Sequence, residues 1–211
     1  NKTPTPRLEK DIPHILSGVL NGRTTGAPLA MEIANENTRS GDYGNVALVP
    51  RPSHSDYPAY VKAGGRNGVR GGGPFGGRWA APLVFAGAIA KQYLAQRGVF
   101  VGAHIAKVGG VKDTLFDPNS IDKETLNCLG NSTFAVLNPE AEENMRAVIE
   151  AARLQQNSVG GSIECAAIGL PVGVGGNMFS TVESKLSALL FGIPAVKGVQ
   201  FGLGFDFAGA F

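Results

Sequence analysis

The residues best equipped for chemistry in this chain are Arg51, His54 and Asp56, which bring a guanidinium, an imidazole and a carboxylate within six residues. Pro50 and Pro52 flank the arginine. Proline fixes its own φ and restricts the residue before it, so the stretch 49–57 reads as a stiff loop rather than a helix. Such a loop can hold an arginine for a two-pronged grip on a phosphate or carboxylate. It can also hold a histidine for proton transfer near neutral pH. The plainer reading is a surface turn with a solvated imidazole, and for one histidine on a loop that is the commoner case.

Three glycine clusters could support the first reading. Arg70-Gly71-Gly72-Gly73-Pro74-Phe75-Gly76-Gly77-Arg78 runs into an apolar periodic segment. Backbone N–H groups at a helix start between two arginines suit an anion, whereas the bland alternative is a flexible linker. Gly173-Val174-Gly175-Gly176 lies at a strand-to-helix junction, where packing and turn needs explain it equally well. Gly202-Leu203-Gly204-Phe205-Asp206-Phe207 imitates a dinucleotide fingerprint but lacks the βαβ context that would give it meaning. Arg23-Thr24-Thr25-Gly26 reads as a plain turn. His14 and His104 alternate with apolar neighbours in strands and read as structural. No His/Cys/Asp cluster has metal-ligand spacing, and no nucleophile elbow is present.

Periodicity supplies the elements that must hold these residues. Strands are expected over 12–19 and 27–34, joined through Asn21-Gly22 as a hairpin. The region 35–77 is long, glycine-rich and weakly periodic, the mark of a functional or mobile loop. A helix is expected over 78–97, with Trp79, Leu83, Ala86, Ile89, Ala90 and Leu94 on one face. A strand follows over 99–108, then a polar, irregular stretch over 112–133. The second helix spans 139–156, capped by Asn138 with Pro139 in its first turn and Glu142/Arg146 as an i,i+4 pair. A strand over 161–170, a helix over 179–192 with Ser180 and Glu183 as a capping box, and a last strand over 195–202 complete the chain. The expected class is mixed α/β (α+β) in one domain over 1–211.

Bulk properties exclude several classes. A formal net charge of +2 argues neither for nucleic acid nor for a membrane surface as partner. No apolar run is long enough to span a bilayer. Two cysteines, Cys128 and Cys165, fit reduced thiols in a cytoplasmic protein. The polar start and apolar end suggest a piece of something longer. On these grounds alone, an α/β protein that binds a phosphorylated small molecule remains open.

Read in order, the motifs spell a family. They are Leu16-Ser17-Gly18-Val19, Gly22-Arg23-Thr24-Thr25-Gly26-Ala27-Pro28, Asp42-Tyr43 and Pro50-Arg51-Pro52-Ser53-His54-Ser55-Asp56. Arg70-Gly71-Gly72-Gly73 with Arg78 and Ala86-Gly87-Ala88-Ile89-Ala90 follow. Later come Ser158-Val159-Gly160-Gly161, Pro171-Val172-Gly173-Val174-Gly175 and Ile193-Pro194-Ala195-Val196-Lys197-Gly198-Val199. With these motifs the chain resembles the chorismate synthase family over essentially its whole length. The resemblance implies a sandwich of antiparallel β-sheets with helices packed between them, and a homo-tetramer. It also implies conversion of 5-enolpyruvylshikimate 3-phosphate to chorismate by 1,4-elimination of phosphate, in aromatic amino acid biosynthesis. Reduced FMN is the implied cofactor, with no net redox change.

By position, His54 matches the family's histidine placed to protonate reduced flavin. Arg51 and Arg78 match arginines that face the anionic substrate. Pro74, Phe75 and Gly76 match the flavin-contacting segment. The pattern departs at Pro74 and Gly76, where the family has Arg or His and Ser, at Gly176 and Gln200, where it has Glu, and at Lys2, where Arg is common. The family's Gly-Glu-Ser-His-Gly segment and its Asn-Asp motif do not occur in these residues. The expectation is therefore that this chain alone carries part of the active site. A non-catalytic or degenerate homologue that binds a phosphorylated anion stands as the alternative.

Overall fold

In the computed structural model, residues 10–36, 40–46, 48–52, 54–68 and 75–210 are described. The chain divides into two compact units, one built on Ala88–Gly173 and the other on the described residues before and after that span. The elements are a mixture of helices and small antiparallel sheets, as the α/β reading requires.

The unit around Ala88–Gly173 is a three-stranded antiparallel sheet with two helices. Strand β5 (Phe100–Val108) lies between β6 (Val111–Lys112) and β7 (Gly161–Ile168). Along β5 the buried positions are Gly102, His104, Ala106 and Val108, the period of two that a half-buried strand demands. Helix α3 (Lys123–Asn131) closes on this face through fully buried Leu126. A Cβ added at Gly102 would lie 2.8–3.0 Å from Leu126 atoms, so helix and strand meet where no larger residue fits. Helix α4 (Pro139–Leu154) buries Ala141 and Met145. These pack with Val108 against Ile105, Phe134, Val136, Val148 and Ile149. Asn138 caps α4 by accepting the Glu140 N–H at 3.0 Å, and the Glu142–Arg146 pair closes at 2.7 Å on the same helix.

The second unit opens on the expected hairpin. Its strands β1 (Pro13–Ser17) and β4 (Ala30–Ile33) pair antiparallel, and the shorter β2 (Val19–Leu20) and β3 (Arg23–Thr24) continue towards the turn. Asn21 (φ 50°) and Gly22 (φ 74°) both take the left-handed region, as a two-residue hairpin turn requires. Arg23 and Thr24 therefore sit in a strand. Helix α1 (Asp56–Lys62) rises inside the long glycine-rich region, which is thus less irregular than its composition suggests. Helix α2 (Ala80–Ala95), entered through a 3₁₀ turn at Gly77–Trp79, contributes its residues up to Gly87 to this unit. Helix α5 (Val182–Leu190) completes it.

Several expectations need correction. The stretch 112–133 contains α3, started by Asp122, whose carboxylate accepts the Thr125 N–H at 2.7 Å. Thr181, not Ser180, caps α5, accepting the Ser184 N–H at 3.2 Å, because residues 178–180 form a separate 3₁₀ turn. The last strand expected over 195–202 has no ladder partner among the described residues, and Ala195 there sits at φ 70°, outside strand geometry. No residue of α2 is buried, so its apolar positions do not face a core among the described residues.

Candidate active site

The stretch 49–57 does not stay a loop to its end: Asp56 is the first residue of α1, buried where Ser55 is half-buried and Tyr57 exposed. That burial makes Asp56 the hub of the site. Its Oδ2 accepts the Arg51 backbone N–H at 3.0 Å and Arg51 Nε–H at 2.8 Å, while Oδ1 accepts Arg51 Nη2–H at 3.0 Å. The His54 Nδ1 lies 2.9 Å from the same Oδ1 and 3.2 Å from Arg51 Nη2. The Tyr43 ring faces the guanidinium at 5.9 Å. The hydrogen bonds from Arg51 outweigh the cost of burial and hold the Asp56 carboxyl far below the usual carboxylate range. The same contacts raise Arg51. The fork of Arg51 is thus turned towards Asp56.

A cavity of about 330 Å³ lies beside this loop. It is lined by Ser55, the residue after His54, and by Phe75, Gly76, Trp79, Leu83 and Pro194. Of the sequence-derived cofactor residues, Phe75 and Gly76 are therefore brought to one cavity with the histidine loop, and Pro74 lies outside the described residues. Arg70 and the glycines Gly71–Gly73 also lie outside them. Arg78 is placed on the 3₁₀ turn that leads into α2. It pairs with Asp11 and donates through Nη2 to the Ala34 carbonyl at 3.2 Å, so it braces the end of β4. The residues that sequence reasoning passed over are Asp56, visible as a carboxylate but not as the organiser, and Trp79, read only as part of an apolar face.

A second polar cluster belongs to the other unit. The His104 ring is fully buried, with Nδ1 2.9 Å from Asp113 Oδ2 and Nε2 2.8 Å from Glu164 Oε2. Register alone sets Glu164 opposite His104, on β7 and β5. Carboxylate oxygens only accept, so two ionised carboxylates at these distances are both satisfied only where each ring nitrogen carries a hydrogen. Burial would raise the Asp113 carboxyl, but the N–H groups of Leu137 and Asn138 and the His104 ring outweigh it and hold it below the usual range. Asp113 thereby ties the strand histidine to the start of α4. Glu164 also accepts the Phe116 N–H at 2.9 Å, and the Phe116 ring meets His104 edge-on at 4.6 Å. Both ring nitrogens of His104 and both oxygens of Asp113 are used internally, which marks the cluster as a structural tie.

Comparison with known proteins agrees with the motif order. The family model described as chorismate synthase matches residues 1–210. A chorismate synthase of Thermococcus gammatolerans is 43% identical over 209 residues, covering 97% of this chain and 55% of the relative. One of Lancefieldella parvula is 39% identical over 215 residues, covering 97% of this chain and 57% of the relative. A crystal structure of chorismate synthase superposes with a TM-score of 0.69 at 25% identity, over 94% of this chain and 57% of that one. The chain thus spans a little over half the length of the curated relatives it matches. Match to the family model across nearly every residue, close relatives of one name and a shared fold together make this chain a member of the chorismate synthase family.

Proposed function

We propose that the protein to which these residues belong eliminates phosphate from 5-enolpyruvylshikimate 3-phosphate to give chorismate, with reduced FMN as cofactor, and that this chain holds a substantial part of the site. The observation that carries the reading is the approach of the Arg51–His54 loop, through Ser55, to an aromatic-walled cavity. Phe75, Trp79 and Pro194 offer flat apolar walls, and Leu83, Gly76 and Gly192 complete the lining. That chemistry fits a planar ring system, so these residues would hold the flavin. Reduced flavin, when bound, supplies the electron density that helps phosphate leave.

The chain's own residues do the rest. Arg51, held by Asp56, presents a fixed positive edge to a phosphate or carboxylate, so it loses little freedom on binding. Arg78, on the turn that leads into α2, would add a second guanidinium by exchanging Asp11 and the Ala34 carbonyl for the substrate. The His54 side chain is partly exposed and can hold or release a proton at the ring nitrogen turned away from Asp56. A homo-tetrameric assembly is part of the same reading.

Titration of the chain with FMN, followed by flavin fluorescence with and without 5-enolpyruvylshikimate 3-phosphate, tests this. Binding that tightens with the phosphorylated ligand is expected. Binding of the phosphorylated ligand with no flavin dependence would favour the second reading, a degenerate anion-binding homologue, which Gly76 in place of a family serine supports. Absence of both would remove the proposal for this chain.

A further inference from the structure

We propose that Asp56 is a positioning residue that accepts a hydrogen bond from His54 Nδ1–H and so leaves Nε2 as the atom that exchanges protons with whatever the site binds. An ionised carboxylate offers about four acceptor positions. Arg51 fills three of those on Asp56, with its backbone N–H, Nε–H and one Nη2–H. The remaining position is faced by His54 Nδ1 at 2.9 Å.

Nδ1 stands between a group that can only donate, Arg51 Nη2 at 3.2 Å, and one that can only accept, Asp56 Oδ1 at 2.9 Å. A bare Nδ1 would turn its lone pair on a carboxylate oxygen at the shorter of the two distances. A protonated Nδ1 satisfies that oxygen. Its cost is a neutral N–H beside a guanidinium already neutralised by its own two-pronged bond to Asp56. The second arrangement leaves no acceptor unmet and no like charges adjacent. It also explains why Asp56 is buried while Arg51 and His54 stay partly open: the carboxylate is the fixed base on which the two working groups rest.

The use made of the Nε2 proton rests on the functional reading above, whereas the tautomer does not. The chain has three histidines, so long-range ¹H–¹⁵N spectra of the ¹⁵N-labelled protein resolve each ring, with His54→Gln assigning the one of interest. At about pH 8.5, above the ordinary histidine range, His54 is expected to show the Nδ1–H tautomer. In Asp56→Asn the amide oxygen stays where two Arg51 donors meet, which turns the amide NH₂ towards Nδ1. His54 is then expected to switch to the Nε2–H tautomer. A wild-type ring with the proton on Nε2, or a ring that keeps Nδ1–H in Asp56→Asn, overturns the proposal. The wild-type spectrum decides the matter even where the variant fails to fold. Because no flavin or phosphorylated ligand is present, an Nδ1–H ring in a chain that binds no FMN refutes the functional reading alone. An Nε2–H ring in a chain that does bind FMN refutes the positioning role alone.

Discussion

Replacing His104 with Phe keeps an aromatic ring beside Phe116 and removes both ring nitrogens, while the larger phenyl must also be fitted into a fully buried site. Asp113 and Glu164 then face each other across an apolar ring. Taking away one partner of a buried ion pair costs about 3–5 kcal/mol. The lower end applies here, because Asp113 keeps the Leu137 and Asn138 N–H groups, and Glu164 keeps the Phe116 N–H and is partly open to solvent. A loss of about 3 kcal/mol corresponds to amide exchange about 100-fold faster for the most protected amides of β5 and β7. Hydrogen exchange followed by mass spectrometry or NMR reads this strand by strand. Adding Asp113→Asn to His104→Phe should recover part of the loss, because one stranded charge is gone, so the two changes will not add. Exchange that rises less than tenfold, or costs that simply sum, would show that the cluster is not held by charge and refute the argument.

Met145→Ala empties the centre of the α4 core and should cost about 2–5 kcal/mol, read as a lower urea midpoint with unchanged slope. Acid should unfold the chain through Asp56 and Asp113. Both carboxyls are depressed in the folded state, so their contribution is complete above the ordinary carboxylate value of about 4 and fades as pH falls through their folded values. A urea midpoint that is flat from neutral pH to about pH 3 would contradict this. Arg51→Lys keeps the charge but loses the fork held by Asp56, and should weaken binding of 5-enolpyruvylshikimate 3-phosphate by about tenfold or more in the complete protein. Unaltered affinity in that titration would remove Arg51 from the anion site.

The elements with strong periodicity were legible in the sequence. Helix α4 announced itself through Asn138, Pro139 and the spacing of Met145, Val148 and Ile149, and strands β5 and β7 through mainly apolar stretches broken only by isolated polar residues. Helix α3 was hidden because Asn127, Gly130 and Asn131 are weak helix formers and only Leu126 and Leu129 mark its buried side. The Asp122 cap was the available signal. The run 195–202 looked like a strand from Val196, Val199 and Phe201, but a strand needs a partner, and pairing is not written in a local stretch. In the site, residue types pointed to Arg51 and His54 without showing that Asp56 would bind both. A carboxylate five residues on from Arg51 can turn either way until the start of α1 fixes it. The structural reading of His104 followed from its strand position, yet its partners came from the register with β7 and from the residue that follows β6, which only the folded chain brings together.

The order of strands in the sheet also sets an order in time. Strands β5 and β6 are neighbours in sequence across Gly109-Gly110, whereas β7 reaches β5 only after α3 and α4 have been threaded. Local pairings close with little loss of chain entropy, and distant ones wait. The hairpin of β5 and β6 should therefore collect α3 and α4 first, with β7 docking late. Glu164 arrives with that last strand, so its contact with His104 belongs to the final stage of assembly. Substitutions at Glu164 should then leave the folding rate nearly unchanged and speed unfolding, which makes this one carboxylate a lock on the lifetime of the sheet rather than on its formation.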